Sequence, residues 1–286
     1  MNKLTKIRVG GVPEHFNLPW HLAMENGLFE KEGIEVEWTV FKGGTGQMTK
    51  ALRNNEIDVC ILLTEGIISD IVKGNPSKLI GKYLNTPLIW GVYTGINNPV
   101  NYYGEIYEKK YAISRFGSGS HLMPIVDANA KKITLEESQF EIIKNLEGAL
   151  ESLSNNETDA FYWEKYTTKP YVDNGTLKHL GDYVTPWPCF MIAATNAILE
   201  TESEAIDKLL KVIYFTSKQF MTSPTSIQEV SERYNQKLED VEAWFHATEW
   251  SINNQISDKL LENVLHTLHF AGIIEEKPEL GLFVEK

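Results

Sequence analysis

Residues 34–63 read IEVEWTVFKGGTGQMTKALRNNEIDVCILL, a stretch in which strand and helix patterns alternate. Apolar and polar side chains alternate over residues 34–40 as in a strand, and 43–46 is a glycine-rich turn. Apolar residues at helical spacing follow in 48–52, and 57–63 is a nearly continuous apolar strand. Strand, loop, helix and strand in this order predict a parallel βαβ unit, whose ligands bind at the carboxyl ends of the strands.

The same pattern extends in both directions along the chain. A β-prone segment at residues 7–12 precedes a helix, and a second strand series begins at residue 111, which puts a lobe boundary near Thr94. The sequence LRNNEID at 52–58 is echoed by LSNNETD at 153–159. The echo predicts a duplicated α/β architecture with a cleft between two lobes.

Composition excludes several classes of protein. The 286 residues are 42% hydrophobic and carry a formal net charge of -12, which favours folded domains and disfavours nucleic acid as a partner. No apolar run approaches the roughly 20 residues of a membrane-spanning helix, so no membrane insertion is predicted. Cys60 and Cys189 have apolar neighbours and are predicted to be buried free thiols.

The amino terminus suggests where the protein acts. Residues 1–8 run directly into a strand-like segment with no apolar stretch or cleavage site before it. We therefore expect a cytoplasmic protein, or an exported one if a signal peptide was trimmed.

Two loops, each of which follows a strand and precedes a helix, are the first ligand-binding candidates. Free amide groups and the helix dipole at such loops hold oxyanions. One loop lies in each predicted lobe, which favours an anionic or strongly polar ligand. The candidate residues in them are Gly44, Thr45, Gly46, Arg115, Ser118, Gly119, Ser120 and His121.

Carboxylates and aromatic side chains at other strand ends complete the candidate site. A carboxylate could receive a ligand amine or ring nitrogen, and aromatic side chains could enclose a flat ring. We predict that Trp163 and Trp187 cover the ligand. The candidate residues at these strand ends are His15, Phe16, Thr64, Glu65, Tyr83, Trp163, Glu164 and Trp187.

Catalytic and metal-binding patterns are weak in this sequence. No Gly-x-Ser-x-Gly elbow is present, and nothing places Ser118, His121 and an aspartate in a catalytic relation. His266 and His269 have a spacing compatible with metal binding, but no carboxylate pattern completes a site. We predict no catalytic residues, no metal and no cofactor.

Several segments resemble one family of small-molecule receptors. Residues 22–36, LAMENGLFEKEGIEV, are similar to the opening motif of nitrate, sulfonate, taurine and thiamine-precursor binding proteins, and 51–59, 73–76 and 205–221 continue the likeness. The segment 159–190 resembles a smaller branch of that superfamily, typified by a Candida binding-protein-like protein without an export signal.

This resemblance implies an α/β, two-lobed type II periplasmic-binding-protein fold with two crossover hinge strands and an interlobe cleft. The crossovers are expected near Leu88–Thr94 and Phe190–Thr195. Lobe 1 then comprises residues 1–93 and 192–286, and lobe 2 comprises residues 94–191.

The function that follows is a soluble, monomeric binding protein, not an enzyme, that closes on an anionic or heteroaromatic ligand such as a sulfonate or thiamine precursor. A transporter or signalling partner is the further expectation. One alternative is an enzyme that resembles fungal thiamine-pyrimidine synthase, although Leu62 and Gly66 stand where that family has its lysine and histidine. Another is a sensory or interaction protein that retains the cleft.

Overall fold

The computed structural model describes residues 4–284, which form two lobes, each built on a five-stranded sheet. The sheet of lobe 1 has the order β2-β1-β3-β10-β4, and the first three strands are parallel while β10 is antiparallel to both of its neighbours. Its strands are β1 (Thr5–Gly11), β2 (Ile34–Val40), β3 (Val59–Leu63), β4 (Ser77–Lys82) and β10 (Phe190–Thr195).

The sheet of lobe 2 repeats this arrangement in the order β7-β6-β8-β5-β9, with β5 as the antiparallel strand. Its strands are β5 (Ile89–Gly95), β6 (Tyr111–Ile113), β7 (Phe140–Ile142), β8 (Ala160–Glu164) and β9 (Leu177–Val184). The predicted duplication is therefore present in the topology.

Helices cover the faces of both sheets, so the central strands are buried on both sides and read as continuous apolar runs. Lobe 1 carries α1 (Leu18–Glu25), α2 (Leu28–Lys31), α3 (Thr45–Arg53), α4 (Thr64–Val72), α8 (Asn196–Thr222), α9 (Ser226–Tyr234), α10 (Leu238–His246) and α11 (Asp258–Phe270). Lobe 2 carries α5 (Gly119–Ala130), α6 (Leu146–Ser154) and α7 (Lys165–Asp173).

The two echo segments occupy equivalent turns. Asn55, between α3 and β3, has φ 56°, and Asn156, between α6 and β8, has φ 55°. Asparagine tolerates this left-handed conformation better than most residues. Asp58 accepts a hydrogen bond from the backbone N–H of Arg8, and Asp159 accepts one from that of Lys110, just before β6. The repeated sequence thus makes the same turn and the same backbone contact in each lobe.

The chain crosses between lobes at residues 83–88 and 185–189. These segments lie side by side, since the N–H of Thr185 donates to the carbonyl of Leu88 and the N–H of Cys189 to that of Thr86. The predicted boundaries at 93/94 and 191/192 need correction, because they fall inside β5 and β10. Each of these strands, once across, hydrogen-bonds into the sheet of the lobe it enters.

Cys60 and Cys189 are both buried free thiols, as predicted. Burial raises the pKa of each thiol well above its ordinary value. Within residues 4–284, no helix combines the length and apolar character that crossing a bilayer requires.

Candidate ligand-binding cleft

A cavity of about 350 Å³ lies between the lobes, within the size range of small-molecule sites. Residues from both lobes line it, and most of them stand at or just after the carboxyl ends of strands. They are Val12, Pro13, Glu14, Lys42, Gly44, Thr45, Leu63, Leu88, Trp90, Ser114, Ser118, Gly119, Ser120, Asn145, Leu146, Glu147, Trp163, Glu164, Thr167 and Phe190.

The glycine loop of lobe 1 presents the N-terminus of α3 to this cavity. Gly44 has φ 67° and ψ -158°, a conformation that is almost restricted to glycine, and no side chain caps the helix. Thr45 begins the helix, and its Oγ1 accepts a hydrogen bond from the N–H of Leu63 at 3.2 Å. The first turn of α3 is therefore held against β3 with its positive end facing the cleft.

A cluster of serines presents the N-terminus of α5 from lobe 2. The Oγ atoms of Ser118 and Ser120 lie 3.1 Å apart, and that of Ser120 accepts a hydrogen bond from the N–H of Ser114 at 3.0 Å. No side chain caps α5 either. Two helix N-termini, one from each lobe, thus meet at one cavity, a geometry suited to an oxyanion.

Arg115 joins the two loops without lining the cavity. Its guanidinium packs on the lobe 1 loop so closely that a Cβ at Gly43 would lie 1.8 Å from Nη2, and one at Gly46 would lie 2.6 Å from Cδ. Glycine at both positions is what permits this contact. The buried Nε of Arg115 has no hydrogen-bond partner within residues 4–284, and burial lowers the pKa of the guanidinium.

Carboxyl groups also line the cavity. Glu164 caps α7, where its Oε2 accepts hydrogen bonds from the N–H and Oγ1 of Thr167, both at 2.7 Å. Its side chain is almost fully buried, and this burial raises its pKa despite those hydrogen bonds. Burial, with a smaller contribution from the charge of Glu164, raises the pKa of Glu14 to about 8.

Apolar and aromatic side chains form the rest of the walls. Trp163 stacks on Phe161 with ring centroids 5.2 Å apart, and Trp90 is fixed by a hydrogen bond from its Nε1 to the Oγ1 of Thr185 at 2.9 Å. Leu63, Leu88 and Phe190 add aliphatic and aromatic surface. A ligand in this cavity would contact both polar loops and a flat indole surface.

The structure brings together seven of the residues that the sequence predicted for the site. They are Gly44, Thr45, Ser118, Gly119, Ser120, Trp163 and Glu164. Gly46 and Arg115 contact each other beside the cavity.

Three predicted residues of the first lobe lie elsewhere. Phe16 and Tyr83 belong to the core, where the Tyr83 hydroxyl donates to the carbonyl of Phe16 at 2.6 Å. His15 packs edge-on against Trp244 with centroids 4.0 Å apart and lines a second cavity of about 280 Å³. Burial lowers the pKa of His15 to about 3, so its ring is neutral at pH 7. These three residues do not line the main cleft, so the prediction that they contact a ligand there is corrected.

Four further predicted residues are occupied by other contacts. Trp187 is buried and donates from Nε1 to the Oε2 of Glu65 at 2.9 Å, so it does not cover the cavity. Thr64 donates to the carbonyl of Pro188. His121 accepts a hydrogen bond at Nδ1 from the N–H of Gly117 and packs between two phenylalanine rings, outside the cavity lining. These side chains fix the hinge and the loops.

The sequence reasoning missed Glu14, Lys42, Asn145, Glu147 and Thr167. Glu14, Lys42 and Asn145 follow β1, β2 and β7, so the strand-end rule that selected Glu164 could have found them. Glu147 and Thr167 sit in the first turns of α6 and α7. Those helices begin only a few residues after their strands end.

Comparison with known proteins agrees with this architecture. Residues 90–183 match the family described as Ca3427-like PBP. The Candida albicans CA3427 gene product, reported with the generic periplasmic binding protein fold, superposes with a TM-score of 0.89 at 27% identity, covering 96% of this chain and 92% of that one. The chain has the fold of the type II periplasmic-binding-protein superfamily. The predicted fold class and the likeness to the Candida branch are both confirmed.

More distant members of this superfamily share the fold alone. The alkanesulfonate-binding protein SsuA from Xanthomonas axonopodis pv. citri, solved bound to MOPS, has a TM-score of 0.78 at 13% identity, covering 97% of this chain and 96% of that one. The periplasmic aliphatic sulphonate binding protein SsuA from Escherichia coli has a TM-score of 0.73 at 15% identity, covering 98% and 97%. No curated protein sequence matches this chain.

Proposed function

We propose that this chain is a binding protein that closes its two lobes on a small ligand, with an oxyanion of the ligand at the N-termini of α3 and α5. One observation carries the proposal: two uncapped helix N-termini, from opposite lobes, line the same cavity. An oxyanion between them would accept hydrogen bonds from both and hold the lobes together.

A sulfonate is the first ligand class to test. Two proteins with the same fold are described as binding sulfonates. Trp163 and Trp90 also offer ring surface, so a heteroaromatic thiamine precursor is the competing ligand. A transporter or a signalling protein remains the proposed partner; one structure with this fold is described as the ligand-binding component of an ABC-type import system.

We propose binding without catalysis. The alternative related to thiamine-pyrimidine synthase implies a reactive lysine and histidine at the positions of Leu62 and Gly66. Leu62 is buried in β3, and a Cβ at Gly66 would lie 2.3 Å from the Thr45 methyl group. A buried leucine and a tightly packed glycine at these positions support a cleft that binds its ligand without converting it.

The substitution Ser118→Asp tests the oxyanion position directly. Aspartate is a favourable N-cap for α5, so the fold should be retained. Its carboxylate would occupy the anion site and repel the oxyanion of the ligand. We expect butane-1-sulfonate to bind at least about tenfold more weakly to this variant by isothermal titration calorimetry, a loss of about 1.4 kcal/mol.

The matched control is Ser257→Asp, which adds the same charge at the N-cap of α11, outside the cavity lining. The control should bind as the wild type does. Equal affinity of wild type and Ser118→Asp would contradict the proposed site.

A further inference from the structure

The second cavity, of about 280 Å³, is a separate space beside the main cleft. It lies between α7 of lobe 2 and two loops of lobe 1, the one after β1 and the one that joins α9 to α10. Among the described residues, only Pro13, Glu14 and Thr167 line both cavities, and neither the glycine loop nor the serine cluster lines the second one. The second cavity is therefore distinct from the oxyanion site, and its volume suits a small molecule.

Two polar atoms in the wall of the second cavity lack hydrogen-bond partners. The Nε2 atom of His15 and the Oε1 atom of Gln236 are both buried, and neither has a partner within residues 4–284. His15 is only 1% exposed. A buried polar atom that makes no hydrogen bond destabilises the folded chain, because it has lost its hydration without replacement. The hydrogen bonds that these two atoms can still make are available to a bound molecule.

The remaining lining favours a ring without negative charge. Tyr171 and Tyr234 contribute aromatic rings, and Pro13 and Pro170 contribute pyrrolidine rings. No lysine or arginine of the described chain lines this cavity. Burial lowers the pKa of His15 to about 3, so its imidazole is neutral at pH 7 and offers no positive charge to an anion. The second cavity thus differs from the main cleft, where two helix N-termini favour an oxyanion.

Hydroxyl groups match the unpartnered atoms of this cavity. A hydroxyl group can donate to the Gln236 oxygen, and it can either donate to His15 or accept from it, whichever ring nitrogen carries the proton. Glu14 is partly exposed in the same lining and can accept from a further hydroxyl group. The negative face of a tyrosine ring also attracts the C–H groups of a saturated ring. Hydroxyl groups on a saturated ring are the chemistry of a sugar.

We propose that the second cavity binds a neutral sugar ring, whose hydroxyl groups form hydrogen bonds with His15 and Gln236. Lobe 1 supplies these two residues, while lobe 2 supplies Pro170 and Tyr171, so the sugar contacts both lobes. This site is additional to the oxyanion site, and the two ligands bind at the same time.

D-Glucose and D-glucuronate test the chemistry of the site, since they share one ring and differ by a carboxylate. We expect D-glucose to bind the wild type at least about fivefold more tightly in an NMR titration, because the carboxylate would lose hydration without gaining a cation. Equal binding of the two compounds would overturn the assignment of a neutral sugar.

Two variants test the hydrogen bonds. His15→Phe keeps a ring against Trp244 but lacks the unpartnered nitrogen, and Gln236→Met removes the unpartnered oxygen with little change in size. Each should weaken D-glucose binding at least about fivefold, because a hydrogen bond to the sugar is lost. Neither should lower the melting temperature, since no described residue bonds to the atom removed. Unchanged affinity for D-glucose in either folded variant would overturn the proposed contacts.

The matched control is Gln255→Met, which makes the same change at an exposed position outside the cavity lining. It should bind D-glucose as the wild type does. Loss of D-glucose binding in this control as well would show that the effect is not specific to the cavity.

Binding of both ligands together separates this inference from the proposed function. D-Glucose should bind equally well in saturating butane-1-sulfonate, and its displacement would overturn the separate site. If butane-1-sulfonate does not bind, the sulfonate assignment fails, whereas D-glucose binding that depends on His15 and Gln236 still supports the sugar site. If D-glucose does not bind, the sugar site is overturned and the oxyanion site stands.

Discussion

Glu65 shows how one buried side chain makes the stability of this protein depend on pH. Its Oε2 accepts the hydrogen bond from Trp187, while its buried Oε1 has no partner within residues 4–284. Burial raises the pKa of Glu65 to about 7, because water no longer stabilises the carboxylate. The folded state therefore binds a proton more tightly than the unfolded chain does. The resulting stabilisation is complete below the ordinary glutamate pKa and is lost as the pH rises through about 7.

We predict that Glu65→Gln flattens this dependence. Glutamine keeps an oxygen for Trp187 but cannot ionise, so the free energy of unfolding should fall less between pH 6 and pH 8 than in the wild type. Urea denaturation at several pH values measures the two slopes. Glu14 and Glu164 titrate in both proteins, so the difference between the slopes isolates Glu65. Parallel curves would contradict the account of this residue.

The local sequence predicted the polar loops that line the cavity better than it predicted which aromatic side chains line it. The loops at Gly44 and Ser118 reach the cavity because a helix that starts just after a parallel strand must place its N-terminus at that edge of the sheet. An aromatic residue after a strand can turn either to the cleft or to the core. Trp163 turned to the cleft, whereas Phe16 and Trp187 did not. That choice depends on packing between distant segments, which a local pattern does not contain.

Among the elements, ion pairs join α7 of lobe 2 to the start of α10 in lobe 1, outside the lining of the main cavity. Lys237 lies 2.6 Å from Asp173, and Lys169 lies 3.4 Å from Asp240 while also pairing with Asp173 at 2.8 Å. Each pair is exposed to solvent, so it contributes little to the stability of the folded chain by itself. Because they link the two lobes, their effect should fall on closure more than on the stability of either lobe.

We predict that Lys169→Ala with Lys237→Ala weakens binding of butane-1-sulfonate by about two- to tenfold and lowers the melting temperature only slightly. The control is Lys208→Ala, which removes an ion pair with Glu204 inside α8 and should leave affinity unchanged. Calorimetry at low and high salt provides a second check, because screening should narrow the gap between the double variant and the wild type. Equal affinity of double variant and wild type at low salt would show that these pairs do not favour closure.

The sequence predicted the order of strands and helices, but it did not predict the residues at which the chain passes from one lobe to the other. The resemblance placed the crossovers at Leu88–Thr94 and Phe190–Thr195, which nearly coincide with β5 and β10. Hydrophobic pattern alone cannot show which sheet an apolar strand joins, since Ile89–Gly95 and Phe190–Thr195 are largely buried in either case. Their antiparallel pairing in the sheet of the lobe they enter places the crossing at residues 83–88 and 185–189.

In the whole molecule, the duplicated sheets and the two crossing segments produce a cleft with equivalent strand ends on both sides. Each sheet has four strands that run in one direction, with their carboxyl ends toward the other lobe, and one antiparallel strand supplied by the crossing. The two crossing segments hydrogen-bond to each other, so a small rotation there would move one lobe against the other without breaking either sheet. The echo at 52–58 and 153–159 was the sequence signal for this symmetry.

A crystal structure of the protein with butane-1-sulfonate would locate the oxyanion of the ligand. We expect the sulfonate oxygens to lie within hydrogen-bonding distance of the first backbone amides of α3 and α5. Sulfonate density in the cavity but away from those amides would contradict the assigned position of the oxyanion. A ligand bound outside the interlobe cavity would contradict the account as a whole.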